Sequence, residues 1–284
     1  MTELQISQAY HHACMSELRA LKPGNVHVFA DGHGMTIHDF IKSADASAAV
    51  IAQPGLTIGE RVFNAVEASR NAVGVNTNLG IILLCAPMIE AALNGQSNLT
   101  FQENLKSALN ALSVQDASLT AQAIVLANPA GLGEVSKYDV HQQPNVTLLE
   151  MMTMAKERDF IASQYANNFS DVLEFGRLRY REGLAKWQHA NNRGQNQTWA
   201  TTGLYLSYLA RKLDTHVVRK YGEPLAKQLM QEAREIEVSY WATENPKLMQ
   251  KQLLAWDASL KQRKINPGTS ADLTVATLLA DFFE

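Results

Sequence analysis

Ile81-Ile-Leu-Leu-Cys-Ala-Pro-Met-Ile-Glu-Ala-Ala-Leu93 is the stretch of this 284-residue sequence that decides the fold. It is apolar on nearly every side, and a helix without a polar face belongs in the middle of a bundle. Pro87 should kink this helix or shift its hydrogen-bond ladder. Residues 273–283 are again apolar on most sides. The sequence therefore predicts two buried central helices with other helices packed around them.

The rest of the sequence carries helical patterns almost throughout. Apolar residues recur at three- to four-residue spacing near the N-terminus, at Ile6, Tyr10, Cys14, Leu18 and Leu21. Further helices are predicted over residues 38–53, 59–72, 100–112, 116–127, 147–156, 159–168, 169–190, 198–221, 224–241, 244–262 and 269–283. Strand signals are confined to short pieces, and no linker divides the chain. Residues 1–284 are therefore expected to form a single all-α, bundle-like domain.

Composition excludes several classes of protein. Hydrophobic residues make up 46% and charged residues 19%, which disfavours disorder and coiled coil. The net charge of −3 gives no reason to expect nucleic acid or an anionic membrane as partner. No apolar run reaches about 18 residues, and no leader-like pattern opens the sequence, so we expect a cytoplasmic protein. Cys14 and Cys85 are expected to be buried, reduced thiols.

Three short polar motifs adjoin these apolar helices. They are Lys22-Pro-Gly-Asn-Val-His27, Gly74-Val-Asn-Thr-Asn-Leu-Gly80 and Asn266-Pro-Gly-Thr-Ser-Ala-Asp-Leu273. A helix N-terminus presents unpaired N–H groups and the positive end of the helix dipole, which suits phosphate. Three such ends could converge on one polyphosphate ligand. The candidate ligand-binding residues are Lys22, Gly24, Asn25, Gly74, Asn76, Thr77, Gly268, Thr269 and Ser270.

Each motif also has a purely structural interpretation. Asn76, Thr77 or Asn78 could simply cap the central helix, and Thr269 or Ser270 could cap the last one. Lys22, followed by Pro-Gly, is typical of a helix C-terminus. These alternatives stay open at the level of sequence.

Two carboxylates are candidates for metal binding or acid–base catalysis. Asp272 lies in the first turn of the last helix, where it either complements the dipole or holds Mg²⁺ against a phosphate. Asp214 is a candidate metal ligand or general base. A different metal site is suggested by the dipeptide His38-Asp39, which with His11 or His12 and Asp214 resembles the metal set of HD-type phosphohydrolases.

Taken together, the motifs resemble the triphosphoribosyl-dephospho-CoA synthase family over nearly the whole chain. Lys-Pro-Gly at 22, Gly-Val-Asn-Thr at 74, Asp-Thr at 214 and the terminal Asn-Pro-Gly-Thr-Ser-Ala-Asp-Leu have the family's order and approximate spacing. The family's His-Lys after Gly-Val-Asn-Thr is here Asn78-Leu79. Residues 131–140 resemble a divergent archaeal and methylotroph-like branch.

The resemblance implies an all-α, ATP-dependent transferase of cofactor biosynthesis. Such an enzyme releases adenine from ATP and passes the triphosphoribosyl group to a ribose hydroxyl of dephospho-CoA or a related cofactor precursor. We then expect Mg²⁺ as cofactor, held by Asp214 and Asp272, one of which acts as base. The alternatives are the phosphohydrolase and a non-catalytic, nucleotide-binding helical protein. A homo-oligomer is compatible with the sequence but is not indicated by it.

Overall fold

The structure is a computed structural model that describes residues 1–128, 144–188 and 195–284. All secondary-structure elements in these ranges are helices, which confirms the all-α prediction. The α-helices are α1 Glu3–Arg19, α2 Ile37–Ile51, α3 Ile58–Val73, α4 Leu79–Asn94, α5 Phe101–Asn110, α6 Val114–Ala127, α7 Leu148–Ala155, α8 Phe160–Ala166, α9 Arg177–Lys186, α10 Asn196–Arg211, α11 Thr215–Tyr221, α12 Glu223–Ala242, α13 Gln250–Gln262 and α14 Gly268–Phe283. Residues 131–140, which carry the resemblance to a divergent branch, lie outside the described ranges.

Several of these helices begin where the sequence supplies a capping box. In α3, α5, α6 and α7, a Ser or Thr precedes the helix and an acidic residue occupies its third position. The hydroxyl accepts a backbone N–H of the first turn, and the acid accepts the N–H of the capping residue. Local sequence therefore fixes these helix starts, which lie within two residues of the predicted ones.

The predicted helix 244–262 begins with a 3-10 turn, Pro246–Met249, before α13. Two other predicted helices are more strongly interrupted. The predicted helix 198–221 is interrupted before Asp214, because the Asp214 carboxylate accepts the N–H groups of His216 and Val217 and starts α11. The predicted helix 169–190 begins with Asn168 and Phe169 at positive φ and continues as a π-helical turn, Asp171–Gly176, before α9. Helical periodicity does not reveal either irregularity, since the apolar pattern continues across both.

The two apolar helices lie at the centre, as predicted. Helices α4 and α14 pack against each other, and α1 packs against both. Every side chain from residue 81 to residue 89 is buried. Cys14 and Cys85 are free and buried in this core, which confirms the expected buried thiols. None of the helices in the described ranges has the length and apolar content needed to cross a bilayer.

The core consists of two hydrophobic clusters that meet near the start of α14. The larger cluster surrounds α4, and the smaller one lies between α10, α12 and α13. Ala271 belongs to the smaller cluster, whereas Leu273 belongs to the larger one. The polar motif that starts α14 therefore lies between the two clusters.

Candidate active site

The two Pro-Gly motifs meet in space although 243 residues separate Gly24 from Pro267. Gly24 has φ +85°, and a Cβ there would lie 2.8 Å from Pro267 Cδ. The Asn25 amide donates to Asn266 Oδ1 over 2.8 Å. This close backbone approach requires glycine at position 24. The predicted convergence of these two motifs is thus present.

Lys22 anchors the first of these turns from inside the protein. Its fully buried ammonium donates to the Glu17 carboxylate, to Asn25 Oδ1 over 2.9 Å and to the Val26 carbonyl over 2.8 Å. An ammonium has three hydrogens, so all of them are engaged. Burial lowers the pKa of Lys22 and raises that of Glu17. The side chain predicted to contact phosphate therefore orders the turn in this structure.

Asp257 holds the same turn from the opposite side, and sequence reasoning missed it. Its buried carboxylate accepts the Gly24 N–H over 2.8 Å and the Lys261 ammonium over 3.0 Å. His27 Nε2 lies 3.3 Å from Asp257 Oδ1. The only local signal was the Asp-x-x-x-Lys spacing, which is common on solvated helix faces.

Asp214 joins α11 to α14. One carboxylate oxygen accepts the N–H groups of His216 and Val217, and the other accepts the Ser270 N–H over 2.8 Å and the Ser270 hydroxyl over 2.9 Å. Thr269 Oγ1 accepts the His216 N–H over 3.1 Å. A carboxylate offers about four acceptor positions, and all of these are used within the protein. The structure thus brings together Asp214, Thr269 and Ser270, but as a capping network.

The Gly74–Gly80 motif is also largely engaged by the protein itself. Asn76 Oδ1 accepts the Leu79 N–H over 3.2 Å, and the Thr77 hydroxyl donates to Ser43 over 2.5 Å. Gly74 ends α3 with φ +73°, and a Cβ there would meet nothing within 4 Å. Asn76 and Thr77 therefore fix the start of α4, while Gly74 caps the end of α3.

Gly80 is the residue through which this motif contacts the last one. A Cβ at Gly80 would lie 2.5 Å from Asp272 Cγ and 2.8 Å from Ile161 Cδ1. Between Thr269 and Ala280, every residue except Asp272 is buried. Among residues 78–89, every residue except Gly80 is buried. These two touching residues on the two central helices keep partial solvent access where their neighbours in the chain are buried, and we take the place where they meet as a candidate ligand site. We call it the Asp272 cleft, defined by Gly80, Ile161 and Asp272.

The electrostatic environment of Asp272 is unusual. No hydrogen bond to its carboxylate comes from any residue in the described ranges. Burial, and then the negative charges of Asp214 and Glu17, raise its pKa well above the ordinary value of an aspartate. Such a group can keep a proton near neutral pH and donate it, or it can bind a cation that relieves the crowding of negative charge.

The HD-type metal set is not assembled. Asp39 accepts the Thr36 N–H and hydroxyl over 2.7 and 2.9 Å as part of the cap of α2. His11 pairs instead with Asp45 at 2.8 Å. Within residues 1–128, 144–188 and 195–284, no group of three or more His, Cys, Asp and Glu side chains could hold a metal ion. The phosphohydrolase interpretation of His38-Asp39 is therefore wrong for the described part of the chain.

Comparison with known proteins adds two findings. Residues 3–284 match the profile of the CitG family, described as ATP:dephospho-CoA triphosphoribosyl transferase. A crystal structure of a candidate triphosphoribosyl-dephospho-CoA synthase from Archaeoglobus fulgidus superposes with a TM-score of 0.62 at 24% sequence identity, covering 87% of this chain and 97% of the other. That likeness concerns the fold. No curated protein matches the sequence significantly.

Proposed function

The chain belongs to the CitG family of ATP:dephospho-CoA triphosphoribosyl transferases, and from this membership we propose that the Asp272 cleft is where ATP loses its adenine. The family's activity is that of a transferase, with ATP and dephospho-CoA as the substrates that its name states. The observation that carries the assignment to the cleft is the partly accessible Asp272 at the junction of two of the three motifs, whose carboxylate receives no hydrogen bond from the described residues.

The reaction exchanges one bond at the sugar for another. The bond between C1′ of the ribose and N9 of adenine breaks, and a bond forms between C1′ and a hydroxyl oxygen of dephospho-CoA. The hydroxyl loses a proton, and the departing adenine gains one. The sugar carries positive charge while the bonds exchange, as in glycoside transfer.

Asp272 is suited to carry that proton. Its raised pKa favours the protonated carboxyl before reaction, so that it can donate to the leaving adenine. The resulting carboxylate can then accept the proton of the attacking hydroxyl, which restores the starting state. The carboxylate charge formed in between also stabilises the positive sugar. Asp214 is less suited to this task because its acceptor positions are occupied by N–H and O–H donors.

Mg²⁺ also fits Asp272 better than Asp214, but as an alternative to the proton-carrying role, since a carboxylate bound to a metal carries no proton. Asp272 lies beside the like charges of Asp214 and Glu17 and receives no hydrogen bond from the described residues. One or two carboxylates together with substrate phosphates are a common set of Mg²⁺ ligands. A bound Mg²⁺ would neutralise phosphate charge. Asp214 then acts by holding Ser270 and the first turn of α14, on which Asp272 lies.

The test is release of adenine from ATP and Mg²⁺, measured by chromatography with and without dephospho-CoA. We expect adenine release that depends on dephospho-CoA, and a loss of about 10²–10⁴-fold in Asp272→Asn. Asp45→Asn, which changes an exposed aspartate, should keep wild-type turnover. Phosphate release without adenine would instead identify a hydrolase. Adenine release at the wild-type rate in Asp272→Asn would remove Asp272 from the mechanism.

A further inference from the structure

The polyphosphate of ATP needs cationic partners, and Lys22 is not available. Its three hydrogens are already donated inside the protein. Lys261 pairs with Asp257, and Arg219 pairs with Asp159 at 2.5 Å. Lys220 lies on α11, beside the start of α14, and has no acidic partner among the described residues. The His216 side chain lies on the same helix.

His216 lies directly against the start of α14. A Cβ at Gly268 would lie 3.2 Å from His216 Nδ1, so the imidazole covers the backbone of Gly268. Gly268 and Asp272 are four residues apart on α14 and share one face, with about 5–6 Å between such positions. His216 is thus about one helical turn from the Asp272 cleft. This separation suits a nucleotide whose sugar is at Asp272 and whose phosphates point towards His216.

Lys220 and His33 lie near this position as well. Lys220 follows His216 by four residues on α11, so the two side chains share a helix face. Lys220 is exposed. His33, at φ +57°, approaches the Gly24 carbonyl with Nε2 at 2.7 Å. A carbonyl only accepts, so His33 Nε2 carries the hydrogen and donates it to Gly24. Nδ1 is then the ring nitrogen that remains for a ligand.

The charges around the two histidines are mainly positive. Burial lowers the pKa of His216, and Arg219, Lys220 and His33 lower it further, against the opposing effect of Asp214. Burial also lowers the pKa of His33, with Lys220 and Lys261 adding to this and Asp257 opposing it. The two opposing carboxylates are already hydrogen-bonded, Asp214 to Ser270 and Asp257 to Gly24. An anion bound here would favour the protonated form of both rings, which could then donate to it.

We propose that His216, Lys220 and His33 form the subsite that binds the triphosphate of ATP. This inference rests on the proposed function, since it names the part of the molecule that holds one end of that substrate. In this proposal the three side chains take the place of Lys22, Asn76 and Thr77 as phosphate contacts. The Lys22 ammonium, Asn76 Oδ1 and the Thr77 hydroxyl form hydrogen bonds within the protein.

The test measures the affinities of inorganic tripolyphosphate, ATP and adenosine by calorimetry on the full chain. Lys220→Gln and His216→Gln should each weaken tripolyphosphate and ATP by about tenfold or more, because a charged hydrogen bond is lost. Adenosine, which has no phosphate, should bind equally well to all variants. Lys251→Gln removes the same charge from an exposed position on α13 and serves as the matched control.

Three outcomes separate the two proposals. Tripolyphosphate affinity that is unchanged in Lys220→Gln, or reduced only as much as in Lys251→Gln, would overturn the subsite. If the wild-type protein releases adenine normally in that case, the transferase assignment stands and only the subsite falls. If tripolyphosphate binding depends on Lys220 and His216 while no adenine is released, the subsite stands and the assignment of the reaction falls.

Discussion

Replacing Gly80 by alanine tests the geometry of the Asp272 cleft without removing a functional group. The added Cβ would lie 2.5 Å from Asp272 Cγ and 2.8 Å from Ile161 Cδ1. Carbon atoms pack at about 3.5–4.0 Å, so the Asp272 carboxyl must move by about 1 Å or more. A displacement of that size at a reacting group can lower the rate by about 10²-fold.

The effect on folding should be much smaller than the effect on catalysis. Alanine is favoured over glycine inside a helix by about 1 kcal/mol, whereas overpacking costs about 1–3 kcal/mol. The overpacking cost should stay near the lower value, because the Asp272 side chain can rotate away from the new methyl group. The gain in helix propensity then largely offsets it. We therefore expect Gly80→Ala to remain folded, with a melting temperature within a few degrees of wild type.

The assay is dephospho-CoA-dependent adenine release together with thermal unfolding. Gly183→Ala is the matched control, because its Cβ would lie 3.0 Å from Ala200 in another tight helix contact. That variant should lose stability while keeping its turnover once folded. If folded Gly80→Ala turned over within threefold of wild type, Gly80 and Asp272 would not line the reaction site.

Three further predictions concern the groups around the cleft. Lys22→Met should lower the free energy of unfolding by about 3–5 kcal/mol in urea titrations, because Glu17 is left buried without its partner. Adding Glu17→Gln should restore part of this loss. If Lys22→Met were as stable as wild type and only bound ATP more weakly, a direct contact between Lys22 and phosphate would be favoured instead. Asp214→Asn should cost about 1–3 kcal/mol by loss of acceptors for Ser270, and a double-mutant cycle with Ser270→Ala should show coupling; additive effects would contradict the capping role. Asp272→Asn should raise the melting temperature at pH 8. The pKa of Asp272 is raised in the folded protein, so its favourable contribution to folding is complete below about pH 4 and is lost as pH rises through the folded pKa. The neutral asparagine avoids that loss. The difference in melting temperature between variant and wild type should shrink towards pH 4. Equal melting temperatures of the two proteins at pH 8 would contradict this prediction.

Much of the architecture follows from local sequence. The apolar stretch after Gly80 leaves a helix no face that tolerates water, so burial of α4 could be predicted from the residues alone. Ser or Thr caps with an acid three residues later fixed several helix starts. The break before α11 was missed, because Asp214 starts that helix within a continuous apolar pattern.

The roles of the motif residues could not be predicted in the same way. Lys22 has the charge expected of a phosphate ligand, but its fully buried position beside Glu17 depends on how α1 and the following turn pack. Asp257 is separated from Gly24 by more than two hundred residues, and nothing near it in sequence indicates the contact. Residue type therefore identified the motifs, whereas tertiary structure decided which side chains remain available to a ligand.

The most direct test of the central claim is a crystal structure of the Asp272→Asn variant with ATP and Mg²⁺. The account predicts the ribose in the Asp272 cleft beside Gly80, with an adenine nitrogen within about 3 Å of the residue 272 side chain, the reach of a positioned proton donor. It also predicts the triphosphate alongside His216 and Lys220. ATP bound on another face of the protein, with the cleft occupied only by water, would contradict it.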